Sequence, residues 1–281
     1  LLAMRILVKI GGAQLGNAST IAKAVGAARA VGHEVILVHG GGDQLRDWSQ
    51  QLGLEDEYIQ GLRVTDAKTA RVVTAVLGGE VNAGLVKTLC AAGIPAVGLT
   101  GADGNFLGAA PKLQPQGLGF VGEVQRVNPA LIETLLAAQY TPVIASIAPC
   151  TDAPGDPFYN INADEVVGPV AQAVGAEAIL FLTDVSGVQD AHGQRISTLD
   201  SEQTHDLIQA GVIAGGMLPK TRAGFAALDA CPRALVKIAS ATGAESILAA
   251  LGSSSGTRFC RESITNPNMW NAEASNPGCT S

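Results

Sequence analysis

Two lysines that lie more than two hundred residues apart each stand close to a pair of glycines. Lys9 lies in the segment Val-Lys-Ile-Gly-Gly, and Lys220 ends the segment Gly-Gly-Met-Leu-Pro-Lys. Glycine lets backbone N–H groups approach an anion closely, and lysine adds a mobile positive charge. The two segments therefore indicate a site that handles phosphate groups, and phosphoryl transfer is the chemistry they favour.

Lys9 stands at the end of an apolar run that is typical of a strand buried in a parallel sheet. An ammonium group is costly to bury unless a partner or a ligand compensates its charge. The alternative is a lysine at a sheet edge whose charged end reaches water. We favour the functional interpretation because lysine is rarely buried.

A run of three glycines, Gly40 to Gly42, follows a predicted strand at 35–38 after one intervening histidine. A predicted helix begins near Asp43, so the glycine N–H groups and the positive end of the helix dipole converge on the end of that strand. Glycines also occur in ordinary strand-to-helix turns, and one such turn is a weak signal. The segment around Lys9 makes a second turn of this kind, which strengthens the prediction of an anion site.

Three polar residues at alternate positions, Asn160, Asn162 and Asp164, open another predicted helix. Asparagine and aspartate favour the first positions of helices whatever the function, so capping alone explains them. The alternative is that the amides hold a polar substrate while the Asp164 carboxylate orients the two lysines.

Two further side chains are candidates for ligand binding. Asp184 comes where an apolar strand ends and a turn begins, which is a favoured ligand position in open α/β sheets, although a turn-forming aspartate looks the same. Arg63 offers a forked donor for a substrate carboxylate, and a surface ion pair is the alternative.

The composition excludes several kinds of partner. A net charge of −7 and the absence of a Lys/Arg-rich run argue against binding to nucleic acid or to an anionic membrane surface. No apolar run approaches the ~20 residues that span a bilayer, and no secretory signal is recognisable, so we expect a cytoplasmic protein. The five cysteines are scattered, and the histidines show no ligand spacing, which predicts no metal site within the protein. We expect ordinary surface or turn positions for the histidines, which are His33, His39, His192 and His205.

Alternating apolar runs and helical patterns predict an α/β fold: an open, mostly parallel sheet in an α/β/α sandwich with two lobes. The predicted strands cover 6–8, 35–38, 94–99, 142–147, 178–183 and 234–239. The predicted helices cover 18–31, 66–92, 129–138, 163–174 and 219–229. Prolines and glycines interrupt this alternation, which predicts a β-hairpin excursion at 105–128. The same region contains a GxGxxG string, but no strand precedes it and no helix follows, so we discount a nicotinamide-dependent dehydrogenase.

We place a lobe boundary near residue 166, which gives one lobe at 1–166 and a second at 167–259. Residues 260–281 lose all apolar periodicity and are rich in Asn, Ser, Pro and Gly. Such a composition predicts a disordered or foreign tail that takes no part in catalysis.

Taken together, six segments resemble the motifs of the amino acid kinase family, in family order and from about residue 4 to about residue 259. They are the segments at 9–12, 39–42, 61–65, 160–164, 182–187 and 215–220. Within the family they are most similar to members that phosphorylate N-acetylglutamate. The resemblance implies ATP-dependent transfer, with Mg²⁺, to the γ-carboxylate of N-acetyl-L-glutamate in arginine biosynthesis.

The resemblance also implies roles for individual residues and for each lobe. Lys9 and Lys220 would stabilise the transferring phosphoryl group, and Asp164 would organise both ammonium groups. The first lobe would bind the acyl amino acid and form a homodimer, and the second would bind ATP. The residues implied for substrate binding are Gly41, Gly42, Arg63, Asn160 and Asn162, and those implied on the nucleotide side are Gly11, Gly12, Thr183 and Asp184.

Two alternatives remain open at this point. One is a kinase of lysine biosynthesis that acts on aminoadipate linked to a carrier protein, although the segment Arg63 to Thr65 looks closer to the acetylglutamate enzymes. The other is a non-catalytic sensor of acetylglutamate or arginine, which would have no use for two lysines and Asp164. Because only three residues precede Met4, without the helical extension of arginine-inhibited hexamers, we expect a dimer without arginine feedback.

Overall fold

A computed structural model of the protein describes residues 2–153 and 155–261, apart from the side chain of Ala13. Nearly all of the tail predicted to be disordered, from residue 262 onward, lies outside the described residues. The prediction for residues 260–281 therefore stays a prediction.

The described residues form strands and helices that alternate along most of the chain. The strands are β1 (Arg5–Ile10), β2 (Glu34–His39), β3 (Tyr58–Ile59), β4 (Leu62–Arg63), β5 (Ala96–Leu99), β6 (Leu107–Pro111), β7 (Val121–Val127), β8 (Thr141–Ala145), β9 (Ile147–Ala148), β10 (Tyr159–Ile161), β11 (Ala178–Thr183), β12 (Thr198–Leu199), β13 (Leu235–Ser240) and β14 (Thr257–Phe259). The α-helices are α1 (Gly12–Leu15), α2 (Ala18–Ala30), α3 (Gly42–Gln51), α4 (Ala67–Val73), α5 (Asn82–Ala91), α6 (Ala130–Ala137), α7 (Ala163–Ala173), α8 (Ser201–Gln209), α9 (Met217–Ala230) and α10 (Ser246–Leu251). Between α4 and α5 the chain forms a π-helix, Thr74–Val81, and a short 3₁₀ turn covers Asp103–Asn105.

The main sheet has eight strands in the order β12-β14-β13-β11-β1-β2-β8-β5. Neighbouring strands are parallel except for the antiparallel pair of β13 and β14. The prediction of an open, mostly parallel sheet is confirmed. The four strands that come before residue 166 occupy one half of this sheet and the four that follow occupy the other half, so the two halves meet between β1 and β11.

Helices cover both faces of the sheet, because successive side chains of a strand point to opposite sides. In β1, Leu7 packs in one buried cluster with side chains of α6, α7 and α9. Ile6 and Val8 pack in a second cluster with side chains of α2, α5 and α10. The order of layers is therefore helices, sheet, helices, as the sequence predicts. Lys9, two positions after Leu7, points to the face that α7 covers.

The predicted excursion is also present. β6 and β7 form an antiparallel hairpin that joins β10 and β9 in a separate four-stranded sheet. The GxGxxG string begins in the loop before β7 and ends within that strand, so it is followed by a strand and not by a helix. The strand predicted at 142–147 is interrupted, with β8 in the main sheet and β9 in the smaller one.

The region predicted as one helix at 66–92 is helical without a break, but its middle part is a π-helix that separates α4 from α5. By length and composition, the 25 residues of Ala67–Ala91 would suffice to cross a membrane, with a mean hydropathy of 1.2 over 18 residues. Core helices pass the same test, and several apolar side chains of this stretch, including Val73, Leu77 and Leu89, are buried in the protein.

Candidate active site

Three glycine or aspartate turns meet at one edge of the main sheet. β1 lies between β2 and β11, and Ile10 pairs in register with His39 on one side and Leu182 on the other. The residues that follow these strands are therefore neighbours. Carboxyl ends of adjacent parallel strands form the usual ligand edge of open α/β sheets.

Lys9 and Asp164 form an ion pair at this edge. The Lys9 Nζ atom lies 2.7 Å from Asp164 Oδ1, and each side chain is 8% exposed. Asp164 comes from the first turn of α7, which packs across β1 and β2. The charge of a buried lysine requires compensation, and Asp164 supplies it.

Lys220 approaches the same place from the first turn of α9. Its Nζ atom donates to the carbonyl oxygen of Gly216 at 3.0 Å. Burial, followed by the positive charge of Lys9, lowers the pKa of the Lys220 ammonium, while Asp164 and Asp184 oppose this effect. The two lysines and Asp164 line one cavity of about 320 Å³, so two cations remote in sequence share one site.

Glycines also line this cavity. Gly12, Gly41 and Gly42 line it, and Gly42 is the first residue of α3, whose positive dipole end faces the cavity. A Cβ atom at Gly41 would lie 2.6 Å from Leu77 Cδ2 of the π-helix. A larger residue at this position would have to displace the Leu77 side chain of the π-helix.

Arg63 also lines the cavity, and three contacts hold its side chain in place. Its Nη1 atom donates to Asp56 and, at 3.5 Å, to Ser49 Oγ, and its guanidinium carbon lies 5.0 Å from the centre of the Tyr58 ring. Burial lowers the pKa of Arg63. Among the described residues its Nη2 atom is buried without a hydrogen-bond partner. Arg63 therefore does form an ion pair, but the pair is largely buried and not on the surface as the alternative had it, and the Nη2 atom remains available to a ligand.

Asn160 and Asn162 also line the cavity. Asn160 Nδ2 donates to Thr65 Oγ1 at 3.4 Å, a long contact that a ligand can replace. Asn162 is the N-cap of α7, and its Oδ1 atom accepts from the backbone N–H of Asp164 at 3.1 Å. The capping explanation therefore holds for Asn162, which at the same time fixes the turn that carries Asp164.

Three of the expected nucleotide-side residues are not among those that line this cavity. Gly11 is buried under Gln14 and against Leu182 of β11. Thr183 ends β11, and its hydroxyl donates to Asp184 Oδ1 at 2.8 Å. Gly11 follows β1, Thr183 and Asp184 stand at the end of the neighbouring strand β11, and the charge of Asp184 acts on Lys220.

His39 corrects the expectation that the histidines hold surface or turn positions, because it lies in a strand and is 0% exposed. His33 is also buried, but it lies in the turn between α2 and β2, and His192 and His205 are exposed as expected. A histidine within an apolar strand is buried with it, and His39 is the last residue of β2. Burial lowers the pKa of His39 to about 4, so the ring is neutral.

Comparison with known proteins identifies the family of this chain. A sequence profile described as the amino acid kinase family matches residues 4–237. An acetylglutamate kinase of Koribacter versatilis is 42% identical over 253 residues, which cover 87% of this chain and 93% of that protein. An acetylglutamate kinase of Nostoc sp. is 44% identical over 222 residues, covering 76% and 73% of the two chains.

Among solved structures, N-acetylglutamate synthase from Neisseria gonorrhoeae, complexed with coenzyme A and N-acetyl-glutamate, has a TM-score of 0.79 at 22% identity. The similarity covers 93% of this chain and 60% of that one, and it shows a shared fold. The sequence profile spans β1 to β13, including both lysines and Asp164. This chain belongs to the amino acid kinase family.

Proposed function

We propose that this protein transfers the γ-phosphoryl group of ATP to the γ-carboxylate of N-acetyl-L-glutamate, as a step of arginine biosynthesis. The observation that carries the proposal is the convergence of Lys9, Asp164 and Lys220 on one cavity with glycine turns on its wall. Its relatives named acetylglutamate kinase, at 42% and 44% identity, support the choice of acceptor.

The acceptor needs no general base in this reaction. Its carboxyl group has an unperturbed pKa of about 4.3 and is ionised near pH 7. A carboxylate oxygen attacks the γ-phosphorus, the bond to the β,γ-bridging oxygen breaks, and ADP leaves with that electron pair. The protein therefore contributes positioning and charge neutralisation.

Lys9 and Lys220 carry the charge neutralisation. Each ammonium group approaches the oxygens of the transferring phosphoryl group, and Asp164 holds Lys9 in place. Backbone N–H groups of Gly12, Gly41 and Gly42 complete the set of donors. Donors fixed in advance toward a developing charge are usually the largest single contribution to catalysis.

Arg63 binds a carboxylate of the acceptor through its free Nη2 atom, and Asn160 and Asn162 hold the rest of that molecule. These residues come from the part of the chain before residue 166. On this basis residues 1–166 form the acceptor lobe, and residues 167–259, with Lys220, Thr183 and Asp184, form the ATP lobe. The division of the sheet between β1 and β11 supports this assignment.

Magnesium is part of the proposal as an ion that arrives on the nucleotide. In the part of the chain that the structure describes, no group of three His, Cys, Asp or Glu side chains could hold a metal ion. Two lysines and backbone donors suit a phosphate chain whose metal is bound by its own oxygens. When bound, the ion neutralises charge on the phosphate oxygens and aids departure of ADP.

We also propose a cytoplasmic homodimer. The family resemblance implies the dimer, and light scattering on the purified protein tests it. A mass of one chain or of six in solution would contradict the dimer.

An acceptor panel tests the function directly. ATP and Mg²⁺ are supplied with N-acetylglutamate, glutamate, aspartate or carrier-bound aminoadipate, and ADP release is measured with a coupled assay. We expect turnover with N-acetylglutamate and little with the others. Turnover with carrier-bound aminoadipate alone would reassign the acceptor, and binding of acetylglutamate without turnover would identify a sensor.

A further inference from the structure

The buried ring of His39 contacts the backbone of the glycine turn at 40–42, although it is not exposed to the cavity. His39 is the last residue of β2 and has no exposed surface. Its Nδ1 atom lies 2.8 Å from the carbonyl oxygen of Gly40. Its Nε2 atom lies 2.9 Å from Nδ2 of Asn82, the first residue of α5.

Asn82 determines which ring nitrogen carries the proton. Its Nδ2 atom lies 2.9 Å from His39 Nε2 and 2.9 Å from the carbonyl oxygen of Val143 in β8. A carbonyl oxygen can only accept, so the shared atom must be the amide nitrogen, which donates to both. His39 Nε2 is therefore an acceptor, and the proton is on Nδ1, which donates to Gly40.

Asn82 itself is held in place by its surroundings. It is 4% exposed, and a Cβ atom at Gly98 of β5 would lie 1.9 Å from Asn82 Oδ1. The amide therefore fills the space that a side chain at Gly98 would need. A line of contacts connects β5 and β8 through Asn82 and His39 to the glycine turn.

The hydrogen bond to Gly40 sets the direction of the next backbone donor. The peptide between Gly40 and Gly41 is trans, so its C=O and N–H groups point in opposite directions. Because His39 holds the Gly40 carbonyl oxygen on its buried side, the N–H of Gly41 points away from that side. Gly41 lines the cavity that contains Lys9.

We propose that His39, held by Asn82, is a positioning residue that fixes the Gly40–Gly41 peptide so that the Gly41 N–H faces the transferring phosphoryl group. This inference rests on the proposed kinase function. In this role the buried His39 keeps the Gly41 N–H aligned before the substrates bind. The donor then does not have to reorient as negative charge develops on the phosphoryl oxygens.

Two replacements of His39 separate this role from packing. His39→Leu keeps the volume and removes the donor, and we expect kcat to fall about tenfold to a hundredfold, with KM for acetylglutamate changed less than threefold. His39→Asn places an amide donor near the position of Nδ1, and we expect at least a third of the wild-type kcat. His33→Leu is the matched control, because it removes a second buried histidine that accepts from Met4 at the other end of β2. It should lower stability and leave kcat unchanged.

The tautomer is measured on the wild-type protein by ¹⁵N NMR of the histidine rings, so the test does not depend on the folding of any variant. We expect the His39 proton on Nδ1. A proton on Nε2, wild-type kcat in folded His39→Leu, or an equal loss of kcat in His39→Asn and His39→Leu would each overturn the proposal. Absence of wild-type turnover with acetylglutamate would instead contradict the kinase function, while the NMR result would still decide whether His39 anchors Gly40.

Discussion

Lys9 and Asp164 hold opposite charges 2.7 Å apart in a place where both side chains are 8% exposed. The lysine comes from the central strand of the sheet, and the aspartate comes from a helix more than 150 residues later. Each charge is stable there because the other is present. The pair therefore serves the fold and the proposed site at the same time.

Replacing Asp164 by Ala should destabilise the protein because it leaves the Lys9 ammonium buried without a counter-charge. Loss of one partner of a buried pair costs on the order of 3 kcal/mol. Urea denaturation measures this loss. The double variant Lys9→Met with Asp164→Leu removes both charges, and we expect it to be more stable than Asp164→Ala. Equal stabilities would mean that water reaches Lys9 freely.

Lys220 should matter to turnover far more than to stability. It is partly exposed in the cavity and is held by one backbone carbonyl, so Lys220→Ala disturbs little packing. We expect kcat to fall by ~10²-fold or more, by analogy with the loss of one preorganised donor elsewhere. Coupled ADP release measures it, with the exposed Lys23→Ala as the control. A Lys220→Ala enzyme with near wild-type turnover would remove Lys220 from the mechanism.

Much of this fold is predictable from the chain itself, because long apolar runs separated by helical periodicity have few other solutions. β1, β2 and β11 are found close to where such runs occur. Strands of two or three residues, such as β3 and β12, carry too few positions to show a period and were not predicted. The π-helix has no periodic signal of its own.

The candidate site was predictable in part. Lys9 is recognisable because it violates the burial preference of its strand, and the glycine turns because they follow strands. The side chains that hold the site residues in place cannot be recognised from the sequence in this way. Asn82 meets His39 across 43 residues of sequence, and Asp56 and Tyr58 meet Arg63 through a hairpin of very short strands. Such contacts arise from tertiary packing, which a single sequence does not display.

Arg63 should determine the affinity for the acceptor. Arg63→Lys keeps the charge but removes the fork, so one amine cannot bond to Asp56 and also reach a carboxylate in the cavity. We expect KM for acetylglutamate to rise about tenfold or more, with kcat reduced less than threefold. Steady-state kinetics with varied acetylglutamate measure both constants. Arg71→Lys, at an exposed position of α4, is the control. A fall in kcat at unchanged KM would place Arg63 in the transfer step instead.

Gly41 and Gly42 provide a matched pair for stability. A Cβ atom at Gly41 would lie 2.6 Å from Leu77 Cδ2 and 3.2 Å from Val81 Cγ2, whereas a Cβ atom at Gly42 meets nothing within 4 Å. Gly41→Ala should therefore cost about 1 to 3 kcal/mol through overpacking, and Gly42→Ala should cost little. Differential scanning fluorimetry should show Tm lower by several degrees for the first variant only. Equal Tm values would mean that the π-helix yields to the added methyl group.

His39 should make the protein less stable in mild acid. Burial lowers the pKa of His39 from 6.5 to about 4. Between these two pH values the histidine is protonated in the unfolded chain and neutral in the folded protein, so protonation favours unfolding. Stability from this group is complete above pH 6.5 and is lost as the pH falls toward 4, by about 3 kcal/mol at 1.36 kcal/mol per unit. Urea denaturation of wild type and His39→Asn at pH 7.5 and pH 4.5 measures the difference. We expect the variant to lose less stability than the wild type over this interval. Parallel losses in the two proteins would show that another group accounts for the acid sensitivity.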